Sequence, residues 1–189
     1  MGRRPQPEIR ERLLEACTDV ALDDGVPDRL APFAEATGVS PRMLIYHFGT
    51  RENLVREVLL QARERQVRAF TDVLRVRPDE AYPRTLARAW AVMAGPVGLR
   101  YLRISRRLHD TAGGPLGPGF RRTATTDWLG PLEDGMRTLG RPELATLVLA
   151  VIRGLLMDLD ATGDAERTDR AFADFLTTLP EPPVAAPGS

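Results

Sequence analysis

The stretch Ala34-Glu35-Ala36-Thr37-Gly38-Val39-Ser40-Pro41-Arg42-Met43-Leu44-Ile45-Tyr46-His47-Phe48 decides how the rest of the chain is read. Leu30, Phe33 and Ala34 fall at helical spacing, and Thr37-Gly38-Val39 breaks that helix with a tight turn. Gly38 suits a backbone position that favours positive φ. Ser40 is placed to cap a second short helix, with Pro41 at its first position, where a missing N–H costs nothing. Ala34 is small where the second helix must approach the first, and Val39 is apolar where the turn needs an anchor. Together these residues predict a helix-turn-helix. An ordinary αα-turn in a helical bundle would use the same signals.

Working outward, residues 7–24 place Ile9, Leu13, Leu14, Cys17, Val20 and Ala21 on a helix that stops near Gly25. Asp28 is a candidate cap for a helix over 29–37, and Thr50 for a long helix from Arg51 to about Arg77. Further helices are expected from Tyr82 to Gly95, over 97–110, and from about Phe120 to Leu139 with a bend at Gly130-Pro131. Two more follow, over 142–160 and, capped by Asp164, over 165–179. Residues 111–119 read as a Gly/Pro loop. Neither a strand pattern nor an internal repeat is visible. The expected class is all-α: a helix-turn-helix domain over 1–51, a ligand-binding and dimerisation domain over 52–179 with 52–77 as connecting helix, and a disordered tail over 180–189.

Composition narrows the function. Of 189 residues, 43% are hydrophobic and 28% charged, which excludes a disordered chain and a disulfide scaffold. The longest apolar run, Leu147 to Ile152, falls far short of the ~20 residues of a membrane helix. Met1-Gly2-Arg3-Arg4-Pro5-Gln6-Pro7-Glu8 carries charge with no apolar core behind it, so neither a signal peptide nor a membrane partner is expected, and the expected location is cytoplasmic. Cys17 has no second cysteine and reads as a small buried hydrophobe. Two histidines and one cysteine, far apart in sequence, predict no metal site. All 26 basic residues are arginine, which removes lysine-dependent chemistry, and no phosphate-cradling glycine loop or nucleophile elbow is present. No catalytic residue, no cofactor and no enzymatic activity are expected. Asp158 and Asp160 are the only unusual acids, and helix-end solvation explains them.

The run from Gly38 to Leu54 resembles the signature of the tetracycline-repressor (TetR) family of transcriptional regulators: Gly-Val-Ser, three variable residues, Leu-Tyr, one residue, His-Phe, two residues, Lys-Glu, one residue, Leu. Gly38, Val39, Ser40, Leu44, His47, Phe48, Glu52 and Leu54 match it. Ile45 stands at the family's tyrosine, with Tyr46 one place later, and Arg51 stands for its lysine. The segment joining the first two helices is one residue shorter, with Asp28-Arg29 in place of the usual threonine. The resemblance is carried by about residues 8–60. It implies a homodimer that inserts recognition helices into operator DNA, and a C-terminal domain whose small-molecule ligand releases that DNA.

The side chains fit those roles. Residues 36–51 contain Arg42 and Arg51 and no acid, whereas 1–35 carry five Arg against eight acids. Attraction to DNA must therefore be local, since the formal net charge is zero. Arg42, Met43 and Tyr46 project away from the Leu44/Phe48 side and are candidates for base edges. Ser40, Tyr46, His47, Thr50 and Arg51 are candidate phosphate donors, although His47 fits partial burial against Leu44 and Phe48 equally well. Arg3 and Arg4 would suit a minor-groove arm or a solvated tail.

In the second domain, Trp90, Met93, Tyr101, His109, Trp128 and Met136 are candidates for an apolar ligand pocket, each also readable as plain core. Residues 96–122 carry six Arg and one Asp, which would suit an anionic ligand, a DNA-facing side or simple solvation. Helix 142–160 is apolar on two stripes, Leu144/Val148/Val151/Leu155/Leu159 and Leu147/Ala150/Gly154/Asp158. The first stripe, with Phe172 and Phe175, is the candidate dimerisation surface, closing a four-helix bundle across a two-fold axis. A homodimer would read a palindromic operator. Competing readings are an activator or co-regulator on the same fold, or a helical interaction scaffold that binds no DNA.

Overall fold

The computed structural model describes residues 7–109 and 126–180, with the side chains of Arg103 and 105–109 left aside. The expectations for Arg3 and Arg4, the 111–119 loop, the helix start near Phe120 and the tail beyond Pro180 lie outside the described residues, as does the His109 side chain. All regular structure among the described residues is helical, as expected. The elements are α1 (Pro7–Asp24), α2 (Ala31–Thr37), α3 (Pro41–Phe48), α4 (Arg51–Leu74), α5 (Tyr82–Ala94), α6 (Pro96–His109), α7 (Leu129–Arg137), a 3-10 turn (Pro142–Leu144), α8 (Ala145–Thr162) and α9 (Ala165–Thr177). Among the described residues no helix is long and apolar enough to cross a membrane, and no cluster of His, Cys, Asp and Glu is placed to hold a metal ion. The described residues divide into two compact units, 7–66 with 100–109, and 67–99 with 126–180.

The first unit is α1, α2, α3 and the early turns of α4, joined by residues of α6. Its core gathers Leu13, Cys17, Ala21, Phe33, Leu44, Phe48, Leu54, Val58 and Ile104. Cys17 is fully buried, and burial pushes its thiol up to about 11. The buried Thr18 hydroxyl donates to Gln61 Oε1 at 2.6 Å, tying α1 to α4. Arg100 of α6 reaches Asp23 of α1 at 2.5 Å.

Several helix ends depart from the sequence expectation. Asp28 does not cap α2. The helix starts at Ala31, its cap position is Leu30 with no side-chain bond, and Pro32 stands in the first turn. There the absent proline N–H leaves one fewer orphan donor to satisfy. Helix α4 stops at Leu74 rather than near Arg77, because Pro78 disfavours helical backbone before it. Gly130-Pro131 is no bend within a helix; it falls in the first turn of α7, where proline is tolerated. On α6, Ile104 is buried and Val97 is 54% exposed.

The second unit is organised by Tyr82 and Trp90 of α5. The Tyr82 ring lies directly on Gly135 of α7, and its hydroxyl donates to the Leu74 carbonyl at 3.3 Å. Trp90 stacks on Phe172 of α9 at 4.6 Å between centroids and donates to Asp169 Oδ1 at 2.7 Å. Helix α8 turns Val148, Leu149, Ile152, Leu156 and Leu159 into the core. Asp164 caps α9 as expected, accepting from Arg167 N at 3.1 Å, while the Arg167 guanidinium grips Asp158 of α8 at 2.6 and 2.8 Å.

Candidate nucleic-acid interface

Helix α3 is framed as its sequence predicts. Gly38 closes α2 at φ 67°, a left-handed conformation that suits glycine. Ser40 is extended, and its Oγ accepts from Met43 N at 3.3 Å. Leu44 and Phe48 are buried beneath the helix. On the opposite side Arg42 is exposed, and Met43 and Tyr46 stand 42% and 50% exposed. At 100° per residue the three occupy an arc of about 100°. That arc pairs a guanidinium fork, a polarisable thioether and a phenol, which suit guanine edges, thymine methyls and phosphate oxygens.

The candidate phosphate donors differ in how they are held. Ser40 and Thr50 are both exposed, and each oxygen already accepts a capping bond, Thr50 from Asn53 N at 3.1 Å. Each hydroxyl hydrogen is left to point outward. Arg51 is half-buried and donates to the Pro27 carbonyl at 2.7 Å, so it pins the segment between α1 and α2. His47 is half-buried, with its ring edge-on to Tyr46 at 5.3 Å and Nδ1 buried without a hydrogen-bond partner.

Three residues that sequence reasoning did not single out surround the end of α3. Arg10 of α1 donates to the His47 carbonyl at 3.3 Å and to both Glu57 oxygens at 2.6 and 2.5 Å. Asn53 of α4 donates to the Phe48 carbonyl at 2.8 Å. No local spacing could have revealed Arg10 and Glu57, which are 47 residues apart.

In the second unit, Trp90, Met93 and Met136 are buried in the core, and Trp128 is half-buried against Phe70 at 5.6 Å. Tyr101 instead packs against the core of the first unit. An open pocket of about 420 Å³ lies elsewhere, lined by residues 76–82 with Thr138 and Leu139. At its rim Glu80 accepts from Thr85 at 2.8 Å and from Arg88 at 3.1 Å, bonds that hold its carboxyl below the usual range.

Of the dimerisation candidates, Val148, Leu159 and Phe172 are buried within the chain's own core, whereas Leu144, Val151, Leu155 and Phe175 are partly exposed. The apolar surface that α8 presents is the neighbouring strip of Leu147, Ala150, Gly154 and Met157, with Leu147 51% and Met157 72% exposed.

An all-α chain with an N-terminal helix-turn-helix and a C-terminal helical unit has the fold of TetR-type transcriptional regulators, and solved structures bear this out. A transcriptional regulator from Rhodococcus sp. Rha1 is 20% identical with a TM-score of 0.69, over 90% of this chain and 95% of that one. The multidrug binding protein EbrR, complexed with imidazole, is 23% identical with a TM-score of 0.64, over 98% of this chain and 96% of that one. A TetR transcriptional regulator from Streptomyces coelicolor is 19% identical with a TM-score of 0.57, over 93% and 99%. At this identity the likeness is one of fold. No protein-family model and no curated protein matches the sequence.

Proposed function

We propose that this chain is a homodimeric transcriptional regulator of the TetR type that reads duplex DNA through α3, and a repressor released from its operator by a small molecule. The observation that carries the reading is the arc of Arg42, Met43 and Tyr46. It is water-facing on a short helix whose other side is buried and whose start is capped. A guanidinium, a thioether and a phenol on one exposed arc match the acceptors, methyls and phosphates of a DNA groove. Ser40, His47, Thr50 and Arg51 flank the arc as phosphate donors.

The homodimer is supported by α8. Its core face is already covered, yet Leu147 and Met157 leave a second apolar strip, and Gly154 between them lets a partner helix approach closely. On the helical projection the partly exposed Val151 and Leu155 border that strip. A two-fold dimer would present its α3 helices to half-sites about 34–36 Å apart, hence a palindrome. The effector site of this reading draws on the candidates of the second unit, Trp90, Met93, Trp128 and Met136. Release is a population shift: the ligand prefers a conformation that spaces the two α3 helices wrongly for DNA. Helix α4, which begins in the first unit and ends in the second, is its lever. A relative in fold bound to imidazole as a multidrug binding protein supports a small-molecule effector.

The test is selection of binding sites from a random duplex pool by the purified protein, followed by a salt series on the selected site. A palindromic site bound with a steep negative salt slope is expected. Transcription from a promoter carrying it should fall when the protein is added; a rise would make the protein an activator. Equal, weak binding to all duplexes at low salt would overturn the reading.

A further inference from the structure

The carboxyl end of α3 is held by side chains from two other helices. An eight-residue helix is marginal alone, and its last four carbonyls have no partner within the helix. Gly49 N takes the Ile45 carbonyl at 2.8 Å. Arg10 Nε takes His47 O, and Asn53 Nδ2 takes Phe48 O. Both donors converge on one carboxylate: Glu57 Oε1 accepts from Arg10 at 2.6 Å and from Asn53 at 3.1 Å. Arg56 donates to Asn53 Oδ1 at 2.6 Å, which keeps the amide nitrogen turned toward α3. The Arg10 guanidinium also lies 4.8 Å from the centroid of the Phe48 ring, adding a cation–π contact.

We propose that Arg10, Asn53 and Glu57 are positioning residues for DNA reading: they lock the rotation of α3 and so aim Arg42, Met43 and Tyr46. The inference rests on the DNA-reading role given to α3 above. Its physical basis is the fork of Arg10. Nη2 reaches both Glu57 oxygens while Nε reaches the α3 carbonyl, so two nitrogens of one rigid plane are held by different partners, and a cation there also suits the negative end of the helix dipole. Lysine has the charge but not the fork. The ion pair is partly solvated, with side chains 34% and 19% exposed, so its value lies in direction more than in overall stability.

Two variants separate positioning from plain stabilisation. R10K keeps the charge and loses the second donor. R10M/E57M replaces the pair by apolar chains, a change that often leaves stability near wild type. Both should melt cooperatively. In both, amide hydrogen exchange over residues 44–49 should accelerate about tenfold while residues 13–22 of α1 keep their rates. Affinity for the selected operator should fall about threefold to tenfold, through lost pre-organisation. The salt slope should not change, since no phosphate contact is removed.

Wild-type exchange rates in α3, or wild-type operator affinity in both variants, would overturn the proposal. So would a salt slope reduced by about one, which would make Arg10 a direct phosphate contact. The exchange experiment needs no DNA. A wild-type protein that binds no operator would therefore refute the DNA-reading role while leaving the hold on α3 separately decided.

Discussion

Replacing Gly135 by alanine should be among the most damaging single-methyl additions available to this chain. A Cβ built at Gly135 would lie 1.7 Å from Tyr82 Cζ and 2.1 and 2.2 Å from the two Cε atoms. The far end of that ring cannot swing away cheaply, because it is 2% exposed and its hydroxyl is bonded to the Leu74 carbonyl. Helix propensity favours alanine over glycine by about 1 kcal/mol. Against that stand about 1–3 kcal/mol for a forced shift in a packed core, rising toward about 3–5 kcal/mol if the ring is expelled. An approach of 1.7 Å is too close for a small shift to relieve, so the expulsion range applies and the net expectation for Gly135→Ala is a loss of about 2–4 kcal/mol. In a Tyr82→Ala background the space is open, and the same change should stabilise by up to about 1 kcal/mol. Urea denaturation of wild type, both single variants and the double variant gives the cycle, with an expected coupling of about 3–5 kcal/mol. If Gly135→Ala lies within about 0.5 kcal/mol of wild type, or acts equally in both backgrounds, the ring does not sit where this reasoning needs it.

Other expectations follow from exposure and burial. Arg42→Ala and Tyr46→Ala should leave the melting temperature unchanged, because both side chains are exposed. Each should weaken operator binding by about tenfold to a hundredfold in fluorescence anisotropy, the scale of a lost base contact. The pair Leu147→Glu/Met157→Glu should shift sedimentation from dimer to monomer while the fold persists, because both positions lie outside the chain's own core. Cys17 should react with a thiol reagent only at the rate of unfolding. Its folded value, near 11, stands above the unfolded 9.0. The stability it contributes is therefore complete below pH 9.0 and is lost as pH rises through about 11, readable as a falling urea midpoint in alkaline buffers.

What the sequence reveals here is what neighbours along the chain decide. Gly38, Ser40 and Pro41 each act within four residues, so the turn, the cap and the start of α3 follow from their chemistry alone. Cys17 is likewise placed by its helical period. The two apolar stripes of α8 are a different case. Periodicity gives both equal claim to the core, and only packing against α5, α7 and α9 turns Val148 and Leu159 inward and leaves Leu147 and Met157 outside. Spacing also places Trp90, Met93 and Met136 on apolar faces without distinguishing a filled core from the wall of a cavity. The structure fills the space over Trp90 with Phe172. The grip on α3 is the least legible feature, because Arg10 and Glu57 meet only once the chain has folded.

The stack of Trp90 on Phe172 has a spectroscopic consequence. The chain has two tryptophans, Trp90 and Trp128, and both belong to the second unit. Tryptophan emission is therefore blind to the helix-turn-helix itself. An indole held by Asp169 and a ring stack changes its emission when either neighbour moves. A shift in that light on adding DNA would report a change in the second unit, and its dependence on DNA concentration would give the DNA affinity without a label.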